Sequence, residues 1–276
     1  MSILDAIILG VVEGLTEFLP ISSTGHLTIA EKLLGKDIDD TSVTAFTAVI
    51  QVGAIVAVLL YFREDILKLL SAVFGGFRNE RRRKSDPNWR FAWLIVIGSI
   101  PILIVGFALR HVIEDHLRNL YVVAAGLILW SPVMVYAERH ARQNRGESRL
   151  QPRDAIVIGL YQCLALIPGV SRSGATISAG LLRGFDRVTA TRLSFFLAIP
   201  ALVAAGLFEL KDALGQGVGF APTLVGTVVS FVVAYATIAW LLRFVAHNPI
   251  SWFVPYRVAL GVIVIVVVLA TGSSAT

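Results

Sequence analysis

Two glutamates, two serine-rich strings, one histidine and one arginine carry the chemistry this sequence can do. Glu13 and Glu17 lie four apart inside an apolar stretch, so a helix projects both from one face, about a turn apart. Two carboxylates that close repel unless a cation, a proton or an arginine offsets them. They suit a divalent ion such as Mg²⁺ or Ca²⁺, which takes hard oxygen ligands and bridges phosphate oxygens. The plainer reading is a structural one, with one glutamate capping a helix or pairing with an arginine. Ser22-Ser23-Thr24-Gly25-His26 and Ser171-Arg172-Ser173-Gly174-Ala175-Thr176 each place hydroxyls and a glycine at the start of a short helix. Free backbone N–H groups at such a turn make an anion site, although serine before a helix is usually just an N-cap. Arg172 tips the balance, because a guanidinium grips phosphate bidentately. His26, three residues after Ser23, is placed to act on that hydroxyl or on a water as base and then acid.

These side chains must be positioned inside a membrane. Of the 276 residues 56% are hydrophobic and 16% charged, with a mean hydropathy of +0.76, whereas soluble domains carry roughly a quarter charged residues. That excludes a water-soluble enzyme. Apolar runs predict six spans, at Ser42–Phe62, Phe91–Leu109, Asn119–Ala137, Val188–Phe208, Thr223–Leu242 and Val258–Thr271. Two further apolar segments are broken: Ile3–Ala30 by Leu19–Gly25, and Ala155–Leu182 by Pro168–Gly174. Proline and glycine there predict two short helices joined by an irregular turn. The single cysteine, Cys163, rules out an intrachain disulfide, and the N-terminus lacks the basic start of a cleaved signal peptide.

The two broken segments are copies of each other. A shift of 149 residues pairs Asp5-Ala6-Ile7 with Asp154-Ala155-Ile156, and also pairs Gly10/Gly159, Leu15/Leu164, Ser22/Ser171, Gly25/Gly174, Ala30/Ala179, Leu33/Leu182 and Gly35/Gly184, ten identities over 31 ungapped positions. The expected fold is an all-α integral membrane protein with six transmembrane helices and two broken re-entrant helix pairs, arranged as an inverted-topology internal repeat. Residues 1–137 form the first repeat, 138–153 a basic cytoplasmic linker and 154–276 the second repeat, within one membrane domain. If both broken segments dip in and return, the second half inserts upside down. Loop charge agrees: loops 63–90, 138–153, 183–192 and 243–257 hold 18 of the 24 Lys/Arg, and loops 31–41, 110–118 and 209–222 hold 5. The basic side is then cytoplasmic, and Arg81-Arg82-Arg83-Lys84 is a topology signal rather than a nucleic-acid patch. The one cation outside these loops is Arg172, and an ionisable group at membrane depth marks function by default. Gln51, in an uncharged span, can line the same cavity or bond between helices.

Glu13-Gly-Leu-Thr-Glu17 resembles the E-x-x-x-E motif, and Pro168-Gly-Val-Ser-Arg-Ser-Gly-Ala-Thr176 the P-G-x-S-R-S-x-x-T motif, of bacterial undecaprenyl-pyrophosphate phosphatases, also called bacitracin-resistance proteins. Ser22–His26 is similar to that family as well. The resemblance implies a hydrolase of the bacterial inner membrane that converts C55 undecaprenyl pyrophosphate to the monophosphate carrier for peptidoglycan synthesis, with bacitracin resistance as a result. It also implies a metal-dependent site open to the extracytoplasmic face. Glu13 and Glu17 would then handle the metal or position water, and Ser23 and His26 would be nucleophile and acid/base. Arg172 would hold the pyrophosphate with Ser171, Ser173 and Thr176, and Ser22, Thr24, Gly25 and Gly174 would complete the anion site. The residues leave the attacking group open between Ser23, His26 and water, and leave self-association open. The main rival is a secondary transporter or lipid-carrier flippase, since inverted repeats with broken helices are typical of transporters. A transporter needs the anion site but not hydroxyl, imidazole and paired carboxylates around it. A purely structural subunit would leave Arg172 and the glutamates unexplained.

Overall fold

The computed structural model describes residues 1–37, 40–80, 85–113, 117, 119–213 and 219–271. The run Arg81–Lys84 and parts of loops 110–118 and 209–222 lie outside them. Among the described residues there is no β-strand, only an isolated bridge between Arg145 and Phe185. The helices are α1 (Ile3–Thr16), α2 (Ser23–Leu33), α3 (Thr41–Tyr61), α4 (Arg63–Arg78), α5 (Pro87–Val112), α6 (Leu120–His140), α7 (Pro152–Leu164), α8 (Arg172–Leu182), α9 (Arg187–Ala213), α10 (Phe220–His247) and α11 (Val254–Thr271). Six stretches, carried by α3, α5, α6, α9, α10 and α11, are long and apolar enough to cross a bilayer. The molecule is therefore a multi-pass membrane protein.

Both broken segments fold as two short helices around a turn, and they do so in register. Displacing α2 by 149 residues gives the bounds of α8. The entry to α1 is a capping box of Ser2 and Asp5, and at the entry to α7 Asp154 Oδ2 accepts from Gln151 N–H at 3.0 Å as Asp5 Oδ2 does from Ser2 N–H at 3.1 Å. Ser22 and Ser171, the N-caps of α2 and α8, have φ of 78° and 77°. That left-handed conformation costs a non-glycine residue roughly 1–3 kcal/mol. In each case the serine hydroxyl accepts from the N–H three residues on, Gly25 at 3.4 Å and Gly174 at 3.2 Å. Both helices end alike, with Lys36 N–H on the Glu31 carbonyl at 2.9 Å and Phe185 N–H on the Gly180 carbonyl at 3.1 Å.

The first short helix of each broken segment is held by a partner from the opposite half. α1 lies against α10 so closely that a Cβ on Gly10 would come within 2.6 Å of the Gly226 carbonyl oxygen. Its counterpart α7 lies against α5, where a Cβ on Gly159 would come within 2.1 Å of the Gly98 carbonyl oxygen. Only glycine permits either approach. The main apolar core lies between these pairs and includes Phe18, Phe62, Phe195 and Phe196, with Phe18 edge-on to Phe195 at a 5.3 Å centroid separation. Asp154, fully buried at the start of α7, pairs with Arg183 at 2.7 Å and with Arg145 of the basic linker at 2.5 Å. The linker is thus pinned to the second broken segment.

Three expectations are corrected. The loop expected over 63–90 contains α4, too short and too charged to register as a span. Its Leu67, Leu70, Phe74 and Phe77 are exposed along one side while Ala72 and Gly76 are buried. The last apolar stretch runs over Ile250–Ala270 rather than starting at Val258, which takes Tyr256 and Arg257 out of the loop and into a helix. The span expected at Ser42–Phe62 matches α3 to within a residue at each end, while α5, α6, α9 and α10 run past their predicted ends, because residues such as Arg139 and His140 continue α6 beyond the apolar run.

Candidate active site

The two turns meet. Ser22 Oγ in the first accepts from Gly169 N–H in the second at 3.1 Å, and Ser173 Oγ in the second donates to the Leu19 carbonyl in the first at 2.8 Å. This brings the starts of α2 and α8 side by side and sets Arg172 against Glu17, with Nη2 to Oε1 at 2.9 Å. The other Glu17 oxygen, Oε2, accepts from Ser23 Oγ at 2.5 Å. One carboxylate, itself 6% exposed, thus orients a guanidinium and a hydroxyl together. A carboxylate that accepts from a serine hydroxyl has the geometry of a general base against a nucleophile. Arg172 Nη1 is buried and has no hydrogen-bond partner among the described residues. A buried guanidinium nitrogen left unsatisfied is costly, so this donor calls for an acceptor that the described residues do not supply.

His26 was expected to act on the Ser23 hydroxyl or on a water, and both its ring nitrogens contact other groups. Its Nδ1 lies 2.7 Å from the Ser22 carbonyl and its Nε2 lies 2.7 Å from the Tyr256 hydroxyl. The turn at Ser22 places Ser23 Oγ beside Glu17 six residues back, and the next helical turn carries the imidazole towards α11. Glu13, one turn before Glu17 and 1% exposed, faces the interior. Thr24 is exposed, and Gly25 and Gly174 are buried at the helix starts. Ser171 Oγ holds Gly174 N–H and lies 3.1 Å from Ser173 Oγ. Thr176, fully buried, donates to the Arg172 carbonyl at 2.8 Å and also lies 2.7 Å from Ser194 Oγ. These three hydroxyls, with that of Ser22, shape the turns. Gln51 is half-buried on α3.

Arg257 is the residue that loop charge concealed. Fully buried at the start of α11, it donates to Pro20 O in the first turn at 2.9 Å and to Gly169 O and Val170 O in the second at 2.9 and 3.1 Å. It also reaches Gly126 O and Ser131 Oγ on α6, both at 3.3 Å. A guanidinium fork supplies five donors in fixed directions, and here they fasten both turns to two helices. The available signal was that Arg257 is followed at once by an unbroken apolar run.

The model of the family described as bacitracin resistance protein BacA matches residues 6–263. The chain belongs to that family. Among its relatives is undecaprenyl-diphosphatase 3 of Frankia casuarinae, 57% identical over 99% of this chain and 98% of the relative. Undecaprenyl-diphosphatases of Acidothermus cellulolyticus and Cutibacterium acnes are 56% and 54% identical, over 99% and 98% of this chain and 98% of each relative. The family match covers both turns and every residue of the cluster.

Donor chemistry bears on the divalent cation. Among the described residues no group of three or more His, Cys, Asp and Glu comes together to hold a metal, and both Glu17 oxygens already have partners. Glu13, one turn before Glu17 on α1 and buried, is the second acidic residue of the pair expected to take a metal. A magnesium ion is commonly bound through one or two carboxylates completed by water and substrate phosphates, and the site fits that mode rather than an all-protein cage.

Proposed function

We propose that this chain is an undecaprenyl-diphosphatase, releasing the terminal phosphate of C55 undecaprenyl pyrophosphate and leaving undecaprenyl phosphate. The observation that carries this reading is the buried, unpartnered Nη1 of Arg172 beside a serine hydroxyl already bonded to a carboxylate. Arg172, fixed through Nη2 by Glu17, holds a phosphate oxygen with Nη1, and the N-termini of α2 and α8 add their dipoles. Ser23 Oγ attacks the terminal phosphorus and gives its proton to Glu17 as the bridging P–O bond breaks, and undecaprenyl phosphate leaves. Water then attacks the phosphoserine and gives its proton to the His26 side, while Glu17 returns its proton to Ser23 Oγ. Glu13 would hold a divalent cation, Mg²⁺ or Ca²⁺, and such an ion would supply charge neutralisation. A transporter needs the anion grip but has no use for the Ser23–Glu17 pair.

The matched segments support the remaining topology. The two broken segments are re-entrant, and the halves 1–137 and 154–276 are inverted copies joined by the linker 138–153. The basic loops face the cytoplasm of a bacterial inner membrane, and the site opens to the other side. A hydrocarbon tail explains why such polar equipment sits at bilayer depth, since the headgroup reaches the turns while the tail stays in lipid.

Purified protein in detergent should release phosphate from undecaprenyl pyrophosphate, and a chelator should suppress the release. Arg172→Ala should lower turnover by about 10²–10³-fold with the melting temperature retained. Near-normal turnover in that variant would remove the assignment. Glu13→Gln should move the Mg²⁺ titration of activity to higher concentration, and an unchanged titration counts against Glu13 as a ligand.

A further inference from the structure

We infer that Tyr256, which lies outside both sequence motifs, is the residue that positions His26 and exchanges its proton, resting on the reading of His26 as the acid/base of the phosphatase site. A carbonyl oxygen can only accept, so the 2.7 Å contact of His26 Nδ1 with Ser22 O puts a proton on Nδ1. Nε2 is then the nitrogen that gains and loses a proton, and the Tyr256 hydroxyl lies 2.7 Å from it. A phenol donates to the neutral imidazole and accepts from the imidazolium, so one contact serves both protonation states. The rings are near-parallel, 15° apart with centroids separated by 5.6 Å, which holds the imidazole plane as well as its nitrogen.

Tyr256 can hold this position because its neighbour cannot move. Arg257 is anchored to Pro20, Gly126, Ser131, Gly169 and Val170, so the backbone carrying the phenol is tied to the same two turns that carry Ser22 and Arg172. Imidazole and phenol come from opposite halves of the chain, and the site is complete only where they meet. Tyr256 is 48% exposed and its hydroxyl is bonded to Nε2, so that hydroxyl links His26 to water outside. The arrangement divides the labour: the proton of Ser23 goes to Glu17, and the proton of the attacking water goes to the Tyr256–His26 pair.

The test uses the full-length protein in detergent with undecaprenyl pyrophosphate. Tyr256→Phe keeps the stacked ring and removes the hydroxyl. It should lower kcat by roughly 10-fold or more, with KM within about twofold and the melting temperature unchanged. In ¹⁵N-histidine spectra, with His26→Gln identifying the resonances, the Nε2 signal should shift in Tyr256→Phe. A kcat within about twofold of wild type, or an unshifted Nε2 resonance, overturns the inference. So does a loss of kcat that follows only from a lowered melting temperature. Full turnover in His26→Gln would remove the acid/base reading of His26, and this inference with it. A wild-type protein that releases no phosphate would remove the phosphatase reading instead, leaving the resonance shift to decide whether Tyr256 positions His26.

Discussion

Arg257 touches none of the groups assigned a chemical step, yet it bonds to both turns that carry them. Arg257 converts two separate turns into one rigid cradle, and its bonds go to carbonyls that the irregular turns cannot satisfy within themselves. Arg257→Met should leave Pro20, Gly169 and Val170 without their donor and destabilise the protein by about 3 kcal/mol, read as a drop in melting temperature in detergent. Arg257→Lys keeps a charge but replaces the planar fork by a point donor, so it should recover stability in part while turnover stays low. Equal stability of wild type and the methionine variant would contradict the clamp. The approach of Arg172 to Glu17 was legible from the repeat and from the expense of charge in lipid. Arg257 was not, because a cation beside an apolar run reads as the end of a span. The partner of Ser23 was not either, since helical periodicity stops at Ser22, whose left-handed φ redirects the chain.

Among the elements, the broken pairs show what a repeat in sequence can and cannot convey. Ten shared residues were enough to place both turns, and the matched caps and φ values follow from the same serines and glycines. Which helix each short element packs against is a long-range matter written in no local pattern, and glycine faces decide it. Gly159→Val should force α7 away from the Gly98 carbonyl and lower thermal stability by about 1–3 kcal/mol. Gly146→Ala, where an added Cβ meets nothing within 4 Å, should change it by less than about 0.5 kcal/mol. Comparable melting shifts in the two variants would mean that the close approach carries no stability. The helix α4 escaped prediction for a different reason. It is 16 residues long with charged ends, and neither length nor hydropathy separates such a segment from a polar loop.

For the whole molecule, the proposed orientation rests on where the cations fall and is open to direct measurement. In a Cys163→Ser background, Gly146→Cys in the basic linker should resist a membrane-impermeant maleimide in intact cells and react once the membrane is permeabilised. Labelling in intact cells would reverse the topology. The exchange of partners between halves also has a consequence for biogenesis. Helix α1 has 14 residues, short of the roughly 20 that hold a helix across a bilayer, and its groove is on α10, which the ribosome makes about two hundred residues later. Helix α1 is therefore made long before its seat exists, and until α10 emerges the nascent protein must keep Glu13 and Glu17 sheltered by water or by the insertion machinery.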